Sequence, residues 1–362
     1  MSNAKNIKGR TALVRMDFNV SSTSDSLRLQ KSLPTLKFLV RQRTSIILIS
    51  HKGEPHGEVD PQQSLKFLQP FLQKELGKKV VFFDTFDFRH IREKIRSDEP
   101  GSIFLLENLR FHPGEESNSA DFAHQLASLA DFYVNDAFAN SHRAHASMVS
   151  LPQYLPHCAG LLLEEELNQL TGVLKRSRKP LIVILAGGKA KDKFSVIENL
   201  YAKVDHFLLG GILANSFLKA QGMHIHPSVV EGDILEEIRA HWLKKKKILL
   251  PQDFVKDSEG RVLDIGPKTI RQYLQFIKKA KSIIWGGPLG VFEDPKYHKG
   301  SIAVAKAVSQ AKARSIVGGG ETTSLILELG LEKKINFLST GGGAMLKFLS
   351  GEKLPGIEAI RK

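Results

Sequence analysis

An α/β chain of two domains with mainly parallel sheets is the fold class this sequence predicts, on three observations. Short apolar runs rich in Val, Ile, Leu and Phe alternate with longer amphipathic stretches along the chain. The runs do not alternate polar with apolar residues, which suits strands buried on both faces of a parallel sheet. One long helical pattern stands between two sets of such runs and divides the chain.

The first set reads "TALVRMDF", "SIILIS", "KVVFFD", "SIFLLEN" and "FYVNDA", with "SADFAHQLASLA" patterned as a helix between the last two. The divider is "AGLLLEEELNQLTGVLKRSRKP", Ala159 to Pro180. Leu161, Leu162, Leu167, Leu170 and Leu174 are its apolar positions, and it closes in a basic, Pro-terminated stretch. The second set reads "PLIVILAGG", "HFLLGG", "KILLPQDF", "SIIWGG", "SIVGGG" and "NFLSTGGG", with "KGSIAVAKAVSQAKAR" as an intervening helix. The expected division is an N-terminal domain over 1–158, a joining helix over 159–179 and a C-terminal domain over 180–343.

The 362 residues suffice for two ordinary cores, and 42% hydrophobic with 25% charged residues is a soluble, globular balance. No run approaches the roughly 20 apolar residues of a membrane span. The opening "MSNAKNIKGR" lacks an apolar signal-peptide core. The single cysteine, Cys158, permits no intrachain disulfide and fits a reducing cytoplasm; nothing cationic flanks it closely, so it reads as structural. The net charge of +14 favours anionic ligands. Its densest cluster, "WLKKKK" from Trp242 to Lys247, reads as a solvated helix end rather than an interaction patch.

The chemistry is concentrated where the runs end. In open parallel sheets ligands bind outside the carboxyl ends of the strands. There the N-terminal half places charged heads: Arg28, His51, Lys52, Arg110, His142 and Arg143. The last two lie in "NDAFANSHRAHAS", among small residues. The C-terminal half places glycine instead: Gly187, Gly188, Gly210, Gly211, Gly286, Gly287, Gly318, Gly319, Gly320 and Gly341, Gly342, Gly343. Glycine lets backbone N–H groups converge on phosphate, and a glycine turn that opens a helix adds the positive end of its dipole. One half reads as a side-chain cradle for a small polyanion, the other as a backbone cradle for a nucleotide. Neither G-x-x-x-x-G-K-[ST] nor a G-x-G-x-x-G after the first strand is present.

From about Thr11 onward the chain resembles the phosphoglycerate kinase family. "VRMDFNV", "RLQKSLPTL", "LLENLRF", "VNDAFANSHRAHAS", "LDIGPKT", "GGPLGVFE", "VGGGETT" and "STGGGAMLKFLSGEKLPGI" stand in that family's order. The resemblance implies two Rossmann-like, three-layer α/β/α domains joined by an interdomain helix across a deep, hinge-closing cleft. It also implies a C-terminal tail, 344–362, that returns to the N-terminal domain. The implied reaction is phosphoryl transfer between 1,3-bisphosphoglycerate and ADP, giving 3-phosphoglycerate and ATP with Mg2+, by a cytoplasmic monomer that needs neither membrane nor nucleic acid.

The resemblance also implies residue roles. Asp17, Phe18 and Asn19 fall on the acid-binding segment. Arg28, His51, Lys52, Gly53, Arg110, His142 and Arg143 fall on a basic patch that holds the substrate phosphate. Lys189 and Lys193 match the catalytic and nucleotide-phosphate lysines, with Gly187 and Gly188 beside them. Gly210 and Gly211 fall near the adenine, Pro288 and Glu293 on the ribose segment, and Gly319, Gly320, Glu321 and Thr322 on the phosphate and metal loop. Gly341 and Gly342 open a helix toward the migrating group, which Arg28 and Lys189 meet. His145 is expected to order its turn rather than touch substrate.

Four positions depart from the family pattern. Glu54 stands where its arginine is expected, which implies weaker acid binding; Lys52, two residues earlier, is an expected partner for that carboxylate. Glu321 is one methylene longer than the family's metal aspartate, Gly286 replaces an asparagine, and Ala186 replaces the first glycine of the lysine loop. Two other readings are a catalytically weakened paralogue that acts as a binding protein, and a nucleotide-dependent dehydrogenase, which the missing dinucleotide pattern disfavours.

Overall fold

The structure is a computed structural model that describes residues 7–23 and 27–361, so the first six residues, with most of the opening polar segment, lie outside it, as does part of the loop between Asn19 and Arg28. The chain divides into two compact units, Met1–Leu167 with Lys353–Lys362, and Asn168–Glu352.

The first unit is built on a six-stranded parallel sheet of β1 (Thr11–Arg15), β2 (Ser45–Ile49), β3 (Val80–Phe83), β4 (Ile103–Leu106), β5 (Phe132–Asn135) and β6 (His157–Ala159). Their spatial order is β3-β4-β2-β1-β5-β6. Successive strand residues serve opposite faces. Ala12, Val14, Ile46, Leu48, Ile103 and Leu105 join one apolar core with Leu29, Leu36 and Leu39 of the helix Leu27–Arg41. Leu13, Ile47, Ile49, Phe104 and Leu106 join the other, with Phe88 and Ile91 of the helix Phe88–Ser97. A sheet covered by helices on both sides needs apolar residues at every position, which is why these runs do not alternate. The strand order reverses between β1 and β5, so a switch point opens at their carboxyl ends.

The second unit repeats the plan with β7 (Leu181–Leu185), β8 (His206–Leu209), β9 (Ile248–Leu249), β12 (Ser282–Gly286), β13 (Arg314–Gly318) and β14 (Phe337–Ser339). Their order is β14-β13-β12-β7-β8-β9, with the reversal between β7 and β12. An antiparallel pair, β10 (Phe254–Lys256) and β11 (Val262–Ile265), stands apart from both sheets and carries an irregularity between Val255 and Lys256.

The dividing helix is Leu161–Arg176, and the two units part within it after Leu167. Its start is set by side chains: Asp136 Oδ1 accepts from the amides of Leu162 at 2.9 Å and Leu163 at 3.2 Å, and Thr35 Oγ1 accepts from that of Leu161 at 3.0 Å. Burial pushes the Asp136 carboxyl up to about 6. The C-terminal segment joins the first unit later than position 344. The helix Gly342–Leu349 buries Ala344, Met345, Leu346 and Leu349, and Asn199 Nδ2 donates to Leu349 O at 2.8 Å within the second unit. From Lys353 the chain belongs to the first unit. There the Gly356 amide donates to Ser141 O at 2.9 Å, and Asn135 Nδ2 donates to Gly356 O at 3.3 Å.

Helical structure ends at Trp242, and Lys244, Lys245 and Lys246 are exposed beyond it. Cys158 is half-buried in β6, where burial raises its thiol. Among the described residues no helix is long and apolar enough to cross a membrane.

Candidate functional site

In the first unit, contacts link the cationic residues into one chain across the segments that follow β1, β2, β4 and β5. Arg28 Nε lies 3.3 Å from Asp17 Oδ2, and its Nη1 donates to Asn19 O at 2.8 Å. Asn19 Oδ1 accepts from the Gly53 amide at 3.1 Å, and Gly53 O accepts from Arg110 Nη1 at 2.6 Å. Arg110 Nη1 in turn lies 3.9 Å from Glu54 Oε1, and Arg143 Nη2 lies 3.6 Å from that same oxygen. Arg110 is 1% exposed; its Nε pairs with Glu116 at 3.2 Å, and its buried Nη2 has no hydrogen-bond partner. A buried guanidinium nitrogen without an acceptor is costly unless a ligand supplies one. His142 precedes Arg143 in the same turn and is half-buried.

Beneath this surface lies Arg15, which sequence reading passed over because it closes an apolar strand run. It is 1% exposed. Its Nε donates to Ser147 Oγ at 2.9 Å, Nη1 donates to Met16 O, and Nη2 lies 3.1 Å from His51 Nδ1. Ser147 donates its hydroxyl to buried Glu115 at 2.6 Å. A guanidinium only donates, so His51 Nδ1 accepts and the imidazole proton sits on Nε2. Burial, and then Arg15, Arg110, Arg143 and His145, hold the His51 pKa well below its ordinary value. His51 is therefore a neutral N–H donor amid cations at physiological pH. His145 is held near 4 by burial and then Arg110, Arg15 and Arg143; its Nδ1 lies 3.9 Å from Glu115.

Two expectations change here. Lys52 does not pair with Glu54. Its Nζ donates to Gln62 O at 2.8 Å and lies 4.4 Å from the Phe67 ring centroid, because the chain turns at Gly53 and sends neighbouring side chains apart. Phe18 is 1% exposed in the apolar core, so its side chain serves packing.

In the second unit two cavities share walls. One, of about 270 Å3, is lined by apolar groups such as Ile212, Val229, Pro288, Leu289 and Val291, with Gly187, Gly188, Gly211, Glu293 and Glu321 at its border. The other, of about 320 Å3, is lined by Gly188, Lys189, Lys193, Gly287, Gly319, Gly320, Glu321, Thr322, Gly342 and Gly343. Gly188 and Glu321 belong to both. The glycines are sterically required where loops meet. A Cβ on Gly287 would stand 1.8 Å from Ala186 O, and Gly319 has φ +105°. The helices Ala190–Leu200, Gly320–Glu328 and Gly342–Leu349 start at the second cavity, so their free amides and dipoles favour an anion there.

Lys193 is 5% exposed, donates to Gly188 O and is brought down to about 8 by burial. Lys189 is exposed at the N-terminal end of its helix with φ +53°. Buried Thr322 accepts from the Gly287 amide at 2.9 Å and fastens two glycine loops together. Gly210 and Gly341 are buried behind the cavity walls rather than lining them. Gly286 has room for a side chain: a Cβ there meets nothing closer than Met345 at 3.6 Å. Among the described residues no three His, Cys, Asp or Glu side chains gather as a metal site.

Residues 2–352 match the family model described as phosphoglycerate kinase. A phosphoglycerate kinase of Leptospira biflexa is 40% identical over 98% of this chain and 96% of its own length. One from Dictyoglomus turgidum is 41% identical over 99% of this chain and 97% of its own. The solved structure of phosphoglycerate kinase from Coxiella burnetii superposes with a TM-score of 0.85 at 34% identity, covering 100% of this chain and 98% of that one.

Proposed function

Because this chain belongs to the phosphoglycerate kinase family and acts as a phosphoglycerate kinase, we infer that it works as an ATP:3-phosphoglycerate 1-phosphotransferase whose first unit holds the acid and whose second holds the nucleotide. The observation that carries the acid side is the linked set Arg28, Asn19, Gly53, Arg110 and Arg143, with its buried, unpartnered Arg110 nitrogen beside the neutral His51 donor. Guanidinium forks and an imidazole N–H suit a phosphate together with a carboxylate. The nucleotide reading rests on the apolar cavity that opens into a cavity of glycine amides and lysines.

Phosphoryl transfer asks mainly for in-line positioning and for cover over the charge on the equatorial oxygens. The acceptor oxygen is a carboxylate, so no strong general base is needed. Arg28, Lys189 and the amides after Gly341 are the groups proposed to cover the migrating phosphoryl; a hinge motion is the proposed means by which the two bound groups meet without water. Glu321 fits a magnesium that travels with the nucleotide: it is exposed, lies in the first turn of its helix and borders both cavities. One carboxylate with phosphate oxygens and waters satisfies that ion. When bound, magnesium would neutralise phosphate charge. The cytoplasmic monomer reading rests on the lone cysteine and on one chain carrying both sets of residues.

A coupled assay with 3-phosphoglycerate and MgATP tests the assignment. Saturable, acid-dependent ATP consumption is expected; its absence, with ADP still bound, favours a non-catalytic binding protein.

Lys193 makes the nucleotide side pH-dependent. Phosphates favour its ammonium form, which prevails below the value of about 8 and is lost above it. ADP affinity measured by calorimetry is expected to fall by about tenfold between pH 7 and 9.5, and Lys193→Met to flatten that fall. An identical slope in both proteins would contradict the role.

A further inference from the structure

Building on the reading that the basic cluster holds an anion, we propose that Glu54 is an internal occupant of that site, its carboxylate sitting between Arg110 and Arg143 until a phosphate displaces it. One oxygen, Oε1, faces both guanidiniums, at 3.9 Å and 3.6 Å. It stands where a ligand oxygen would draw on both forks.

The surroundings let it leave without disturbing the site. The backbone beside it is pinned, since Gly53 N is held by Asn19 and Gly53 O by Arg110. Arg110 also pairs with Glu116 at 3.2 Å, so its orientation does not depend on Glu54. The Glu54 side chain is 61% exposed and can rotate into water. Its distances are those of a loose ion pair rather than a hydrogen-bonded one, and exposed pairs of this kind are weak enough to exchange. Arg110 Nη2, meanwhile, is left for a ligand that reaches deeper than Glu54 does.

Two consequences follow. Every phosphate-bearing ligand displaces the same carboxylate, so inorganic phosphate and the acid substrate lose affinity by a similar factor. The site also carries one positive charge fewer toward an approaching anion, which makes binding less sensitive to salt.

The test is calorimetric titration of inorganic phosphate into the wild-type chain and E54Q at several KCl concentrations. E54Q is expected to bind about three- to fivefold more tightly at low salt, and to lose affinity more steeply as KCl rises. Equal or weaker phosphate binding by E54Q would overturn the proposal, and no binding by either protein would overturn it together with the acid-site reading. Because phosphate binding is read without catalysis, the proposals can fail separately. A phosphate effect without kinase turnover rejects only the enzyme mechanism; turnover with unchanged phosphate binding rejects only the Glu54 role.

Discussion

Replacing Lys189 by methionine is expected to lower kcat by a factor on the order of 100 to 1000, with a smaller change in KM for MgATP, because a preorganised charge aimed at the transition state contributes mainly to the chemical step. Lys189 is the exposed cation at the mouth of the amide-lined cavity, at the N-terminal end of the helix Ala190–Leu200. Its backbone is left-handed at φ +53°, a conformation that methionine must also adopt, so the substitution removes the ammonium without relieving backbone strain. Single-turnover measurement separates the two terms. A kcat within about threefold of wild type would show that Arg28 and the helix amides cover the migrating phosphoryl without Lys189.

The second large effect is expected on the acid side. Arg110→Met should lower kcat/KM for 3-phosphoglycerate by about 100- to 1000-fold and leave KM for MgATP nearly unchanged, since charge-assisted hydrogen bonds to phosphate are lost from one unit only. Methionine fills comparable space in the buried slot. The released Gly53 carbonyl and Glu116 make this variant less stable by about 1–3 kcal/mol, which thermal unfolding will read. A parallel rise in both Michaelis constants would point to general loosening rather than a lost phosphate contact.

Particular residues show what could be read from sequence. Apolar runs such as "SIILIS" announced buried parallel strands because both faces of the sheet are covered, leaving no position free to be polar. The strand "HCA" at β6 escaped because it is three residues long and only half-buried. The β10–β11 pair escaped because each strand is short, broken by a charged residue (Lys256, Asp264) and outside the main sheets. At the site, charged residues after strand ends were legible, since that position in an open sheet has few structural uses. Arg15 was not: it ends a strand, and only the three-dimensional neighbours Ser147 and His51 reveal its part. The Lys52–Glu54 pairing failed because spacing of two predicts a shared face only in extended chain, and the chain turns at Gly53. The glycines foretold close backbone approach, but not which of them line a cavity. Gly319 and Gly342 do, whereas Gly210 and Gly341 support the wall.

The proposed mechanism divides the binding: side chains of the first unit hold the acid, and backbone amides of the second hold the nucleotide. Backbone-amide NMR on the wild-type chain tests it most directly, with 3-phosphoglycerate and MgADP titrated in separate samples. 3-Phosphoglycerate alone is expected to shift Asn19, Gly53, Arg110 and Arg143, and MgADP alone Gly188, Lys189, Gly319, Gly320 and Glu321. Saturable shifts from 3-phosphoglycerate confined to the glycine loops, or none near Arg110, would contradict it.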